Sequence, residues 1–270
     1  MRPVAHLTVV FLILITATGC QTMRALELRS TRIIIPSEQE AQIGKSFSQE
    51  IEGEVEIMND PVATAWVNLL GQKLVQNSPP CAQTFTFKVT TSDEVNAFAI
   101  PGGYCYVNAG LIRLAANEAE VAAVVGHEIN HVTARHGVRS IQRQIGIQKI
   151  SELLGSDPDS QSLISAIQGA GGVLAMRSFG REDEREADRL GADAMYKAGY
   201  DPRAAVAFFE KMQGAAPGSD SALSRIVSTH PATPERIANL REQVSRYDLS
   251  HPMILDTPEF NRVKARIGSN

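Results

Sequence analysis

The pentapeptide His127-Glu128-Ile129-Asn130-His131 constrains this chain more than any other stretch of it. In a helix, residues four apart share a face, so both imidazoles can reach one ion. Glu128 lies about 100° round from His127 and can address a water beside that ion. Six histidines and 19 glutamates in 270 residues make such a pattern a rare accident, about 0.01 occurrences by composition alone. Ala122, Ala123 and Gly126 on the same helix suit close burial against another element. The fold must therefore bury this helix and bring a further ligand to it from elsewhere in the chain. With 43% hydrophobic residues, the chain is long enough to do so. Its 26 basic and 30 acidic residues leave a net charge of -4. No basic block interrupts that balance, which speaks against a nucleic-acid partner.

The further ligand is sought on a second acidic helix, predicted over about 181–198. There Glu184 shares a face with Ala187, Asp188, Gly191, Ala194 and Met195, whereas Glu186 falls with Arg189, Asp193 and Lys197. The first stripe must be buried and the second solvated, so Glu184 is the better placed carboxylate. Asp188, one turn on, is positioned to accept a ring N–H from a ligating histidine.

Around these helices the pattern predicts an α+β domain, mostly helical with one small sheet. Ser37 and Glu40 form a capping box opening a helix to about Val55. Asp60-Pro61 opens another, with Val62, Trp66, Leu69, Leu70 and Leu74 on its apolar stripe. Phe85–Thr90 alternates as a strand, and Asn96–Ile100, Pro101-Gly102-Gly103 and Tyr104–Val107 read as a hairpin. Asn117 with Glu120 caps the helix that carries the pentapeptide. Further helical stretches fall at about 138–154, 160–175, 202–213 and 234–246, and Thr257-Pro258 opens a last short one. Residues 214–220 read as a surface loop.

The N-terminus has one positive charge at Arg2, an apolar run from Leu7 to Ile15, and small residues before Cys20. These are the marks of a secretory signal peptide over 1–19, its core too short to span a bilayer. The segment resembles a bacterial lipoprotein signal, which implies lipidation of Cys20 and a tether over 20–36. With Gln21 following it, the resemblance places the chain on the outer membrane facing the periplasm. Cys81 and Cys105 then remain, in a compartment where they can stay thiols or pair as a disulfide.

His127–His131 with a later Glu184…Asp188 resembles the gluzincin metalloproteases. Asn96-Ala97-Phe98-Ala99-Ile100-Pro101-Gly102-Gly103 and Gly110-Leu111-Ile112 narrow this to the CAAX prenyl endopeptidase-like family (peptidase family M48) and its periplasmic lipoprotein branch. The resemblance spans roughly 37–246 and implies a zincin-like metalloprotease domain over 37–270, its sheet edge beside the active-site helix. It implies one Zn²⁺ per chain on His127, His131 and Glu184, with Glu128 as general base. His230, in Thr229-His230-Pro231, is the candidate donor to the developing oxyanion, or a resting-state cap on the zinc. His136 and Arg236 are weaker candidates for supporting roles. An edge strand at Asn96, Ala97, Phe98 and Ala99 would pair with extended polypeptide. The implied substrates are unfolded or misassembled envelope proteins, with the outer-membrane assembly machinery as a further partner. A latent, non-proteolytic assembly factor with His230 capping the zinc is the rival expectation.

Overall fold

The computed structural model describes residues 33–156, 160–177, 179–215 and 222–268. The expected signal peptide, Cys20 and most of the tether lie outside the described residues, as does most of the 214–220 loop. Among the described residues no helix is long and apolar enough to cross a membrane.

Two helices come first, α1 (Ser37–Glu54) and α2 (Pro61–Gln76). Asp60 caps α2 as expected, its carboxylate accepting from the Val62 and Ala63 amides. The capping box at α1 does not form, because Ser37 lies inside the helix with Pro36 at its cap. Glu40 is instead buried on Arg135, 2.7 Å from its Nε, a tertiary partner outcompeting a local one. On α2, Leu69 departs from the predicted stripe and is 64% exposed.

Three strands follow, β1 (Thr86–Thr90), β2 (Ala97–Ile100) and β3 (Tyr104–Asn108), in the order β1-β3-β2. β2 and β3 form the expected antiparallel hairpin, Phe98 opposite Tyr106. Gly102 and Gly103 make its turn at φ 87° and 90°, a backbone few side chains tolerate. β1 joins β3 in parallel, and its outer edge is covered by Glu56–Met58. β2 is thus an edge strand. Alternation along the strands separates two cores. Ala97, Ala99, Cys105 and Val107 face one, while Phe98, Ile100 and Tyr106 face the other. Cys81 and Cys105 are free thiols. Cys105 is buried in the first core and Cys81 sits in the connection before β1, so the bridge considered from sequence is not formed.

After the short α3 (Ala109–Leu114) comes α4 (Glu118–Thr133), which carries the pentapeptide and is buried from Glu118 through Val132. Its Asn117 cap accepts from the Glu120 amide. Arg135, at φ 57°, turns the chain into α5 (His136–Ile145), and its guanidinium is tied to Glu40 and the Ile35 carbonyl. The predicted 138–154 and 160–175 helices are each split. Gly146 at φ 89° divides α5 from α6 (Ile147–Ser156), and Gly171 and Gly172 divide α7 (Gln161–Gly169) from α8 (Val173–Met176). Then come α9 (Arg181–Lys197), α10 (Arg203–Gln213), α11 (Ser224–Thr229), α12 (Pro234–Val244) and α13 (Pro258–Ile267). The fold is α+β and mostly helical, as expected.

Candidate metal centre

α4 and α9 pack closely where Gly191 faces Gly126 and the His127 backbone. That approach puts Glu184 of α9 beside both histidines of α4, with the Glu184, Ala187, Asp188 and Gly191 stripe buried as the periodicity demanded. His230, at the C-terminal end of α11, completes the cluster. One ligand atom from each of His127, His131, Glu184 and His230 lies within 4.8 Å of the others, and all four residues are buried.

The spacings test whether zinc fits. His131 Nε2 is 2.9 Å from His127 Nε2, which is 3.2 Å from His230 Nδ1. Glu184 Oε1 is 3.0 Å from His230 Nδ1 and 3.4 Å from His131 Nε2, and Oε2 is 3.7 Å from His127 Nε2. Ligands about 2.0–2.1 Å from a tetrahedral zinc stand about 3.3–3.4 Å apart, in the middle of that range. Lone-pair donors crowd together in this way around a cation. Burial, reinforced by His127 and His230, holds His131 well below the ordinary imidazole range. Burial opposes the ionisation of Glu184, yet His230, His131 and His127 hold its carboxyl well below the usual range. A neutral imidazole and an ionised carboxylate are the states a metal needs.

A second layer orients the ligands. Burial pushes His127 down, but Asp188 and Glu184 raise it above the ordinary value, with its Nδ1 2.9 Å from Asp188 Oδ1. Arg236 grips Asp188 through Nε and Nη2, both at 2.7 Å, and reaches Glu184 Oε2 and the Pro231 carbonyl through Nη1. Thr233 caps α12 on the Arg236 amide and so sets this arginine in place. His136, fully buried, presents Nδ1 2.9 Å from His131 Nδ1 and Nε2 3.2 Å from Glu186 Oε2. Glu186 is thus only half solvated, bound to His136 and not free on the outer face. Phe179 stacks on His131 with ring centroids 3.8 Å apart, a contact with no periodic signal in the sequence beyond its place just ahead of α9.

Glu128 points to the sheet. Its Oε2 accepts from the Ala99 amide at 3.1 Å, and Oε1 is 3.4 Å from His230 Nε2. Because the Asn96 and Ile100 carbonyls are spent on Asn108 and Gly103, alternation turns the backbone groups of Ala97 and Ala99 to the free edge. Every residue assigned to the centre from sequence comes together here: His127, Glu128, His131, Glu184, Asp188, His230 and Arg236. The four-residue edge at Asn96–Ala99 lies beside them.

Residues 61–244 match the Peptidase family M48. The beta-barrel assembly-enhancing protease of Escherichia coli (strain K12) is 33% identical over 237 residues, covering 84% of this chain and 48% of that protein. Metalloprotease LoiP of the same organism is 28% identical over 241 residues, covering 84% of this chain and 92% of that protein. The mitochondrial metalloendopeptidase OMA1 of Arabidopsis thaliana is 36% identical over 150 residues, 55% of this chain and 29% of that protein. The chain spans about half the length of the first of these relatives. A buried His-His-Glu donor set on α4 and α9, with a glutamate between the histidines and a family match across two-thirds of the sequence, leads to one assignment: the chain belongs to peptidase family M48, whose members are zinc metallopeptidases.

Proposed function

We propose that this protein is a zinc-dependent endopeptidase that hydrolyses peptide bonds in unfolded or misassembled bacterial envelope proteins. The observation that carries the reading is Glu128. It is held by the Ala99 amide at the free edge of β2 while its neighbours His127 and His131 converge on Glu184, so base, ligand set and strand edge meet at one point. His127, His131 and Glu184 would hold the zinc, which would supply the Lewis acidity for water activation and carbonyl polarisation. Glu128 takes the proton from the attacking water and returns it to the leaving amine. The edge Asn96–Ala99 holds the extended substrate through backbone hydrogen bonds, so side chains are read lightly. Residues 1–19 act as a signal peptide, and lipid on Cys20 tethers the chain through 20–36 to the outer membrane, facing the periplasm. The relationship to the beta-barrel assembly-enhancing protease supports an envelope substrate and contact with the outer-membrane assembly machinery.

A second reading rests on His230. Its Nδ1 belongs to the donor cluster and its Nε2 faces Glu128, so it can fill the position that a catalytic site leaves open for water and hold the enzyme latent. One experiment separates the two, comparing zinc content and casein cleavage in the wild type, Glu128→Gln and His230→Ala. Glu128→Gln keeps one zinc and loses about 10²-fold or more in rate; full activity there would overturn the mechanism. With zinc retained, a fall in His230→Ala marks His230 as the oxyanion donor, and a rise marks it as the cap.

A further inference from the structure

Arg177 follows α8 and precedes Phe179, the ring stacked on His131. Its Nε and Nη2 are closed to solvent and have no hydrogen-bond partner. Arg139 and Arg185 also bury an unpartnered Nε, but each spends other nitrogens on carboxylates: Arg139 on Asp183, Arg185 on Glu182 and Glu235. Among the described residues Arg177 has no such ion pair. What it touches is the substrate edge. Its Cζ lies 4.6 Å from the ring centroid of Phe98 in the middle of β2, and Phe98 is fixed in turn on Tyr106.

An arginine stacked on an aromatic ring has its fork held in one plane, ready for a bidentate carboxylate. Burial pulls the Arg177 guanidinium below its ordinary range, opposed by Glu128 and Glu94 and reinforced by Arg225. Neither acid is free to neutralise it. The Glu128 oxygens face the Ala99 amide and His230, and Glu94 is exposed and paired with Arg225. Asn96, on the same face of β2 as Phe98, is buried with its Oδ1 unpartnered. Glu128 and Glu94 act on this cation only from a distance. A buried cation with no hydrogen-bonded counter-charge is costly, and two unsatisfied polar groups here flank one strand edge.

We infer that Arg177 receives a carboxylate of the polypeptide lying along β2, so that the enzyme selects cleavage sites at a fixed distance from an acidic side chain or from a free C-terminus. The inference deepens the endopeptidase reading and rests on it for the identity of the edge as the substrate's seat.

The test uses the zinc-loaded chain and internally quenched peptides of one sequence. Glu or Gln is walked through each position, and every peptide is made both as the free acid and as the C-terminal amide. One Glu position, or the free acid over the amide, is expected to raise kcat/KM about tenfold or more, mainly through KM. Which of the two arms responds identifies the source of the carboxylate. The ratio collapses toward one in Arg177→Gln and is partly restored in Arg177→Lys, each variant checked for zinc content and thermal melting. A wild-type ratio below about twofold at every position, or an unchanged ratio in Arg177→Gln, overturns the inference while leaving the protease reading intact. Should the wild type cleave no peptide, the protease reading falls. Fluorescence-anisotropy binding of the same peptides to the Glu128→Gln chain then decides the Arg177 inference by the same ratio.

Discussion

The two faces of the small sheet are packed by different means. On one, Ala97, Ala99, Cys105 and Val107 meet α4 in a core rich in alanine and valine, where short side chains let helices and strands approach closely. The same helix lies close to α9, Gly126 against Gly191, and that approach aligns His127, His131 and Glu184. On the other face, Phe98, Ile100 and Tyr106 meet α1 and the short helices α5–α8 through Ile141, Ile150, Ile164 and Ile167. These helices are interrupted at Gly146, Gly171 and Gly172. The first face positions ligands through backbone proximity. The second is a set of short pieces joined by larger side chains, and it delivers Arg177 and Phe179 to the rim of the site.

Removing a core side chain from the second face tests that division most severely. Ile167 is fully buried in α7, and Ile167→Ala is expected to cost about 2–5 kcal/mol. The loss falls on α7, which carries none of the four donors, so zinc affinity should stay within about threefold of wild type while limited proteolysis across 147–176 accelerates. Thermal melts, a zinc titration and a digestion time course read all three. If zinc affinity dropped with stability, the two faces would form one cooperative unit and the contrast would fail.

The sequence makes the first face legible and the second only in part. His127, Glu128 and His131 have a fixed spacing, and the Glu184–Met195 stripe repeats with the helical period, so both signals are local and strong. Asp188 and Arg236 were within reach because a carboxylate one turn from a ligand and an arginine near His230 have obvious work to do. The helix breaks were written in Gly146 and Gly171-Gly172, yet a glycine inside an apolar period is read as tolerated until the backbone shows φ above zero. α3 and α11, six residues each, are too short for a period to declare itself. Phe179, Arg177 and the Glu186–His136 contact depend on how separate segments meet, which no single segment records. Glu40 makes the same point in reverse, since its local capping role yielded to Arg135.

The smaller effects come from the glycine pair, and they separate close approach from burial. A Cβ added at Gly191 would stand 3.0 Å from the His127 amide nitrogen and 3.2 Å from the Gly126 carbonyl carbon. Both are backbone atoms of the ligand helix and have no rotamer with which to yield. Gly191→Ala should therefore push α4 and α9 apart by a few tenths of an ångström, at a cost of about 1–3 kcal/mol, and it should weaken zinc because the displaced atoms belong to His127. A Cβ at Gly126, across the same contact, meets the Gly191 carbonyl oxygen at 3.5 Å, an ordinary separation. Gly126→Ala also gains up to about 1 kcal/mol of helix propensity, so its melting temperature should match or exceed wild type with zinc affinity unchanged. The two substitutions add the same methyl group to facing helices, differing chiefly in whether it presses on the ligand's own backbone. Equal losses of zinc in both would mean that the helix pair merely tolerates glycine; loss confined to Gly191→Ala would mean that the distance between these two backbones sets the metal centre.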